Sequence, residues 1–308
     1  MNLTKTAFNH LILFASLSTS ICLASEKSFL QESHTNSLGM KLVPIPAGKF
    51  VMGSPKSEKG RGRDEDQVTV SLTQPFLMLE TEVTQAQWIK VTGRSLKEQI
   101  ETKTGPIGRG ANLVAEASAE GPEQPMCFVN WADAVSFCEL LTEKEQSQGS
   151  LPKGFSYTLP TEAQWEYACR AGTQSVFSFG NTLSSEQANF YGKKPYGLEK
   201  EGIYREKTTA VKTFSPNAWG LYDMHGNLYE WCADWYSEKA SGGENPTGPE
   251  TGEGRNIRGG AWNRTAKSCR SSYRYSSGPE SRSYNIGFRI ILKPVSYTHL
   301  TLPTIYSV

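Results

Sequence analysis

A cysteine among basic residues is the most reactive feature of this sequence. Residues 258–274 read RGGAWNRTAKSCRSSYR, with Cys269 as the one thiol and no acidic residue. If Cys269 is exposed, the flanking arginines and lysine lower its pKa and make it a reactive thiolate. A buried thiol, or a disulfide with Cys232, is the alternative, because cysteine is commonly buried. Cys269 is therefore a candidate catalytic residue whose role depends on its exposure.

A second group of residues has the oxygen donors that a hard cation binds. The stretch DMHGNLYE offers carboxylates at Asp223 and Glu230 and backbone carbonyls at Gly226 and Leu228. Ca²⁺ takes roughly six to eight oxygen ligands and mixes carboxylates with carbonyls. The stretch therefore predicts a calcium site, with a solvated acidic turn as the alternative.

The cysteine and histidine positions limit other metal chemistry. Of the six cysteines, Cys22 lies in the apolar N-terminal stretch. The remaining number is odd, so in an oxidising compartment at least one thiol has no intrachain disulfide partner. No pair has CxxC spacing, and His225 is the only histidine in the patterned body of the chain. The sequence does not predict a zinc or iron site built from histidines.

The composition of the whole chain is that of a globular protein. The 308 residues are 37% hydrophobic and 20% charged, with a formal net charge of +1. A charge this small gives no field that gathers nucleic acid, and no arginine stripe is interleaved with aromatic residues. Nucleic acid is not predicted as a partner.

The N-terminus is typical of a secretory signal peptide. Lys5 precedes an apolar run from Leu11 to Leu23, and the small residue Ala24 follows it. The run is too short to span a bilayer. We predict a signal peptide at residues 1–24 and a secreted or periplasmic mature protein with no stable membrane span. An uncleaved anchor is the alternative.

The rest of the chain divides into three parts. Residues 25–38 are polar and predict a linker, and residues 39–294 predict one domain. Residues 295–308, VSYTHLTLPTIYSV, belong to no motif of that domain. We interpret them as an atypical tail, foreign to the domain, with a β-prone extension as the alternative.

Three helices and many short strands are predicted to position the candidate residues. One helix runs from an N-cap at Thr84 to Gly93, and a second lies in NWADAVSFCELLTEKEQSQG. A third begins at the capping-box pair Thr161 and Gln164. Residues 94–124 are weakly patterned and predict an inserted surface loop. The remaining short apolar runs, broken by glycine and proline, predict an α+β fold with much irregular structure.

The tryptophans are predicted to anchor the core of this irregular fold. The chain has seven of them, and large aromatic side chains mostly fill cores. Trp262 is the exception, because it stands beside the polar stretch that carries Cys269. We predict that Trp262 lines a ligand pocket.

Seven stretches, taken in order along the chain, resemble the formylglycine-generating enzyme (sulfatase-modifying factor) family. They are PIPAGKFVMGS, ETEVTQAQW, VNWADAVSFC, LPTEAQWEYACRAG, NAWGLYDMHGNLYEWCADWY, RGGAWN and NIGFRI. The resemblance covers about residues 39–292. It implies a single compact domain with low regular secondary structure, distantly related to C-type lectins. For true members it implies a copper-dependent oxidase that converts a sulfatase cysteine to formylglycine with molecular oxygen.

The resemblance also implies a two-cysteine copper site, of which this sequence holds one part. Cys269 takes the position of the second cysteine, and the first falls on Arg264. Arginine does not ligate Cu(I), which favours soft thiolates. Ala261, Ser268 and Tyr229 replace the family's serine, tyrosine and tryptophan in the same pocket. The sequence therefore predicts that copper is not bound.

Two calcium sites are implied by the resemblance. The four positions in DMHGNLYE correspond to the family's second site. Asn189 and the carbonyl of Phe190 match the first site, whose carboxylate position falls near Ile203. An isoleucine offers no side-chain ligand. The acidic residues that could replace it are Glu199, Glu201 and Glu206.

Three functions are compatible with these patterns. The favoured one is a secreted, calcium-stabilised family member whose altered pocket binds a ligand or a protein or peptide partner. The second is a formylglycine-generating oxidoreductase that acts on a sulfatase cysteine. The third is a structural surface module that needs no pocket.

Overall fold

The computed structural model describes residues 28–104, 119–198 and 200–295. The predicted signal peptide, tail residues 296–308 and Glu199 lie outside them. The helices around the site are α1 (Gln85–Thr92), α2 (Leu96–Thr104), α3 (Trp131–Ser147) and α4 (Glu162–Arg170). The strands are β1 (His34–Thr35), β2 (Lys41–Ile45), β3 (Gly48–Met52), β4 (Val68–Leu72), β5 (Phe76–Leu79), β6 (Phe155–Thr158), β7 (Tyr229–Trp235), β8 (Gly243–Glu244), β9 (Arg255–Arg258), β10 (Tyr275–Ser277), β11 (Ile286–Gly287) and β12 (Ile291–Pro294). Long irregular segments join these elements, so the predicted α+β class is confirmed.

The predicted helix starts are confirmed by their hydrogen bonds. Thr84 caps α1, and its side chain and that of Gln87 each accept from the other's backbone N–H. Thr161 and Gln164 form the same capping box at α4. Such caps satisfy N–H groups that a helix start leaves without partners. No helix in the described part of the chain is long and apolar enough to cross a lipid bilayer.

The predicted surface loop at residues 94–124 is wrong in its first part. α2 begins after Ser95, whose hydroxyl accepts from the backbone N–H of Glu98 at 3.2 Å. Leu96 and Gln99 of this helix are buried. The weak apolar pattern hid the helix, because polar Gln99 occupies one of its buried positions. Residues 105–118 lie outside the described ranges.

The predicted linker is also wrong in its described part. β1 pairs antiparallel with β2, with His34 opposite Leu42. Leu30 is 3% exposed and belongs to the same core cluster as Leu42. Phe29 packs against the same cluster. Residues 28–38 therefore pack onto the domain, because these two apolar side chains are at least partly buried despite the polar residues around them.

Three sheets carry the fold. The five-stranded sheet has the order β1-β2-β5-β12-β6, and the three-stranded sheet has the order β3-β4-β8. The four-stranded sheet, with the order β10-β9-β7-β11, holds the candidate residues. Glu230 on β7 stands opposite Arg258 on β9, and Tyr275 on β10 stands opposite Ile257. This sheet therefore brings the DMHGNLYE stretch next to the segment that contains Cys269.

Tryptophan side chains anchor the core, as predicted for most of them. Trp88 stacks on Phe137 with ring centroids 5.7 Å apart. Trp88, Trp165 and Trp231 are each at most 2% exposed. Trp262 is 5% exposed, so burial alone does not separate it from the core residues. Trp262 also belongs to the same hydrophobic core cluster as Trp88 and Trp231, so its place in a ligand pocket stays a prediction.

A buried carboxylate on β7 predicts a measurable dependence of stability on pH. Asp234 accepts a hydrogen bond from the backbone N–H of Glu162, the first residue of α4, at 2.9 Å. Burial, and secondarily the charge of Glu162, raises the pKa of Asp234 to about 7. The folded protein therefore holds this proton at pH values where the unfolded chain, with an aspartate pKa of about 3.9, has lost it. The stability that this group contributes is complete below the unfolded pKa and is lost as the pH rises through the folded pKa.

Asp234→Asn removes this titration and keeps an oxygen that accepts from Glu162. We expect the free energy of unfolding of the variant, relative to the natural protein, to rise by about 1 kcal/mol between about pH 5 and pH 6. Urea unfolding at both pH values measures the difference. A difference that stays constant with pH contradicts the prediction.

Candidate functional site

The Gly-Gly turn that follows β9 presses against Cys269. A 3-10 helix, Ala266–Cys269, comes shortly after the turn. Gly260 has a φ of +77°, and a Cβ atom at this position would lie 2.6 Å from the Cys269 sulfur. Only glycine combines this backbone conformation with so close an approach. The backbone of this turn therefore packs directly against the Cys269 thiol.

Cys269 is a buried thiol in this structure. Its exposed fraction is 0%, and its sulfur lies 3.8 Å from the Thr265 carbonyl oxygen. Burial raises the pKa of the Cys269 thiol far above its usual range. Neither Cys269 nor Cys232 forms a disulfide within the described residues. Of the alternatives from the sequence, the structure contains the buried thiol, and a catalytic role of Cys269 stays a prediction.

Three of the basic residues around Cys269 form buried ion pairs. Arg270 contacts Glu65 at 2.6 Å, and Arg274 contacts Glu162 at 2.7 Å. Arg258 also contacts Glu162, at 3.2 Å. These guanidinium groups neutralise carboxylates in the core. They do not activate the thiol, contrary to what their positions in the sequence suggest.

Arg264 is exposed, and it lies beside the other departures from the family pattern. Its backbone N–H donates to the Ala261 carbonyl at 2.9 Å. Burial raises the pKa of the Tyr229 phenol, the neighbouring Cys269 adds to the rise, and the positive charge of Arg264 opposes it. The side chain of Ser268 also opposes the rise in the pKa of Tyr229. The structure therefore brings together all five residues that the sequence assigned to the altered copper pocket.

Aromatic rings lie around these residues. We call them the aromatic face, and they are Tyr191, Tyr204, Tyr229, Trp262, Tyr273, Tyr275 and Tyr284. Trp262 stacks on Tyr204 with ring centroids 6.1 Å apart and an angle of 18°. Tyr229 stacks on Tyr275 at 5.8 Å. The backbones that carry the two groups of rings are adjacent, because the Tyr229 N–H donates to the carbonyl of Asn285, the neighbour of Tyr284, at 2.9 Å.

Three of the predicted calcium ligands line one small cavity. Asn189, Asp223 and Gly226 border a cavity of about 20 Å³, and a volume of roughly 10–15 Å³ is enough for one water molecule. Gly226 has a φ of +144°, and a Cβ atom there would lie 2.3 Å from the Asn189 carbonyl oxygen. Glycine is required for this contact. The two predicted calcium sets therefore adjoin each other.

Buried oxygens without hydrogen-bond partners cluster near this cavity. They are Asn189 Oδ1, Asp223 Oδ1 and Glu82 Oε2. Burial raises the pKa values of both Asp223 and Glu82, and for Glu82 the charges of Asp223 and Glu230 add to the rise. Buried acceptors without donors are costly, so each calls for a cation, a proton or a water.

Glu82 is the residue of this cluster that sequence reasoning missed. It lies in the ETEVTQAQW motif, between β5 and α1, and its exposed fraction is 0%. Its Oε1 accepts from the Asn227 side chain at 3.1 Å. The signal available in the sequence was an acidic residue between an apolar strand and a helix cap. That position forces the carboxylate into the interior.

The remaining predicted calcium ligands are placed differently. Glu230 is fully buried, and its two oxygens accept from Arg289 Nε and Nη2, each at 2.6 Å. Trp165 Nε1 donates to the same carboxylate at 2.7 Å. Leu228 and Phe190 are buried in the core. The charge of Glu230 is therefore neutralised by Arg289 in this structure.

The incomplete first calcium set gains no carboxylate from the described residues near Ile203. Ile203 is 62% exposed. Glu201 pairs with Lys193 at 3.8 Å on the surface, and Glu206 is exposed. Within residues 28–104, 119–198 and 200–295, no three histidine, cysteine, aspartate or glutamate side chains converge as they do in a metal site. Any cation here must rely on amide and carbonyl oxygens as well as carboxylates.

His225 links the calcium loop to the cysteine segment. Its Nδ1 lies 2.8 Å from the Cys269 carbonyl oxygen, so Nδ1 carries the proton and donates it. Its Nε2 accepts from the backbone N–H of Ser178 at 3.0 Å. Burial lowers the pKa of His225 to about 4. The neutral ring therefore ties the carbonyl of Cys269 to the loop that carries Asp223.

The fold and the site together define a domain of the formylglycine-generating-enzyme type, with short sheets and a glycine turn against a single cysteine. Residues 27–294 match the family described as the sulfatase-modifying factor enzyme 1-like domain. The chain belongs to this family, and the resemblance seen in the sequence is confirmed.

Individual relatives agree with this assignment. The chain is 31% identical over 297 residues to the formylglycine-generating enzyme of Mus musculus, a match that covers 81% of this chain and 74% of the relative. It is also 31% identical over 192 residues to the protein named inactive C-alpha-formylglycine-generating enzyme 2 of Mus musculus, covering 60% and 52%. The structure of PvdO from Pseudomonas aeruginosa is similar, with a TM-score of 0.66, 28% identity and coverage of 85% and 98%.

Proposed function

We propose that this chain is a calcium-stabilised family member that binds a ligand through the aromatic face and does not make formylglycine. One observation carries the proposal. Cys269 is a buried thiol, and the position of the first copper cysteine holds the exposed side chain of Arg264. A relative whose name describes it as inactive is compatible with this.

The residues present do not fit a dithiol copper site. Cu(I) favours soft thiolates, and Arg264 offers only hydrogen-bond donors and a positive charge. Among the described contacts of Cys269, no second cysteine sulfur lies near its thiol. The high pKa of Cys269 further disfavours the thiolate that a metal needs. No copper step is therefore assigned to this chain.

The residues present do fit a calcium ion in part. The oxygens of Asn189, Asp223 and Glu82 that lack partners are hard donors, and the adjoining cavity has room for a small ion. We propose that these residues hold calcium, with the predicted carbonyls of Gly226 and Leu228. Calcium there would join the loop that carries Asp223 to the segment between β5 and α1 that carries Glu82. Glu230 is not among the proposed ligands, because its carboxylate pairs with Arg289.

A direct test is incubation of the purified protein with Cu(I), oxygen, a reductant and a Cys-x-Pro-x-Arg peptide. We expect no aldehyde in the mass spectrum of the peptide and no copper affinity beyond that of a lone thiol. Arg264→Cys is the matched variant, and at most partial recovery is expected, because Ala261, Ser268 and Tyr229 still depart from the family pattern. Aldehyde formation by the natural protein that depends on copper, oxygen and Cys269 would establish the oxidoreductase alternative, with a sulfatase as its partner.

The location of the protein is part of the same proposal. We propose export to a secreted or periplasmic location, supported by the signal-like pattern of residues 1–24. Calcium at extracellular concentration suits a structural site of this kind.

A further inference from the structure

Two side chains at or beside the aromatic face have hydrogen-bond donors without partners among the described residues, one buried and one exposed. Trp262 is 5% exposed, and its indole Nε1–H has no acceptor within the described residues. The guanidinium of Arg264 is exposed and forms no ion pair among the described side chains. Both groups only donate. A ligand that complements this face must therefore bring acceptors.

The charge along the face is uneven. The carboxylate of Glu206 acts on the phenol of Tyr204, whereas the guanidinium of Arg264 acts on the phenol of Tyr229. The other basic side chains beside Cys269 are buried in ion pairs, except that of Lys267, which is exposed. A negative group on the ligand is accordingly favoured at the Tyr229 end of the face.

A strand edge borders that end. β10 pairs with β9 on one side, and no described strand pairs with it on the other. Tyr275 of this strand is 46% exposed and stacks on Tyr229. A strand edge offers backbone groups to an extended peptide. A glycan has no backbone N–H and C=O groups that pair in order with those of the strand edge, so the edge favours a peptide over a glycan.

We propose that the aromatic face binds an extended peptide bearing a side-chain carboxylate, and that Arg264 receives this carboxylate. The peptide pairs with the free edge of β10, contacts the exposed ring of Tyr275, and places its acidic side chain at Arg264. Guanidinium binds carboxylate with two parallel hydrogen bonds, which gives affinity and orientation together. This inference rests on the proposed function, because it assigns a ligand to the pocket where the copper chemistry is lost.

The experiment uses a library of immobilised heptapeptides with randomised flanks and glutamate, glutamine or lysine at the centre. The probe is the purified full chain with calcium present. We expect enrichment of glutamate peptides, and binding of an enriched peptide at least about tenfold weaker with Arg264→Gln, since a hydrogen bond to a charged group is lost. Lys267→Gln removes the same charge from the same exposed segment. It is the matched control, with an expected change of about twofold or less.

Each other outcome has a defined meaning. Equal binding of glutamate and glutamine peptides, or equal losses in the two variants, overturns the assignment of Arg264. An absence of peptide binding, or binding of acidic glycans instead of peptides, overturns the peptide as the ligand class. Equal melting temperatures of the two variants and the natural protein exclude misfolding as the cause. Aldehyde formation in the separate copper assay would overturn the proposed function, whichever peptides bind.

Discussion

Arg289→Met is expected to lower the free energy of unfolding by about 3–5 kcal/mol, because it leaves the Glu230 carboxylate charged, buried and without its cation. Arg289 and Glu230 side chains are both 0% exposed and are joined by two hydrogen bonds. Asp223 and Glu82 lie near enough for their charges to interact with the same guanidinium. The positive charge of Arg289 therefore acts on more than one carboxylate. Urea unfolding at neutral pH measures the loss.

An exposed ion pair provides the matched control. Arg63 and Glu238 are 89% and 75% exposed in their side chains and 3.4 Å apart. Arg63→Met should change stability by less than about 1 kcal/mol, since surface pairs contribute little. The double variant Glu230→Gln with Arg289→Met should recover part of the loss, because it removes the uncompensated charge. Equal effects of the two arginine variants would contradict the role given to Arg289.

Helix starts could be predicted from the sequence because their causes are local. The hydrogen bonds of a capping box join residues three apart, so Thr161 and Gln164 disclose the start of α4 without knowledge of the fold. α2 was missed for the opposite reason. The stability of this helix depends on the burial of Leu96 and Gln99 against the rest of the fold, which the local sequence does not predict.

The chemistry of the site could be predicted only in part, because it depends on contacts between distant residues. The sequence shows basic residues around Cys269 but not that Arg270 pairs with Glu65, 205 positions away. It shows Glu230 as an oxygen donor but not that Arg289, 59 positions away, uses both of its oxygens. The sequence therefore identifies the charged residues but not their ion-pair partners. Charge pairing in the interior requires the fold.

The ion pair with Arg289 makes Glu230 a poor residue with which to test calcium binding, although its carboxylate is a reasonable candidate ligand. Substitution of Glu230 removes the partner of Arg289 and leaves a buried cation, so the protein is destabilised whether or not calcium binds. Asp223 and Glu82 are better targets, because each has an oxygen with no partner. A test on these two residues separates cation binding from core ion pairing.

Calcium is expected to stabilise the natural protein, and a chelator to lower its melting temperature. At a free calcium concentration one hundred times the dissociation constant, the gain is about 2.7 kcal/mol. The physical reason is that the cation satisfies the buried oxygens of Asp223, Glu82 and Asn189, which otherwise lack donors. Calorimetric melting with and without calcium measures the gain.

The variants sharpen this expectation, because their effects change sign with calcium. In chelator, Asp223→Asn and Glu82→Gln should be as stable as the natural protein or more so, since each removes a buried carboxylate beside another. In calcium, both should be less stable than the natural protein, because each loses a ligand. Asp234→Asn changes a buried carboxylate elsewhere and should keep the full calcium gain. A calcium gain that survives in Asp223→Asn and Glu82→Gln alike would place any bound calcium away from this loop.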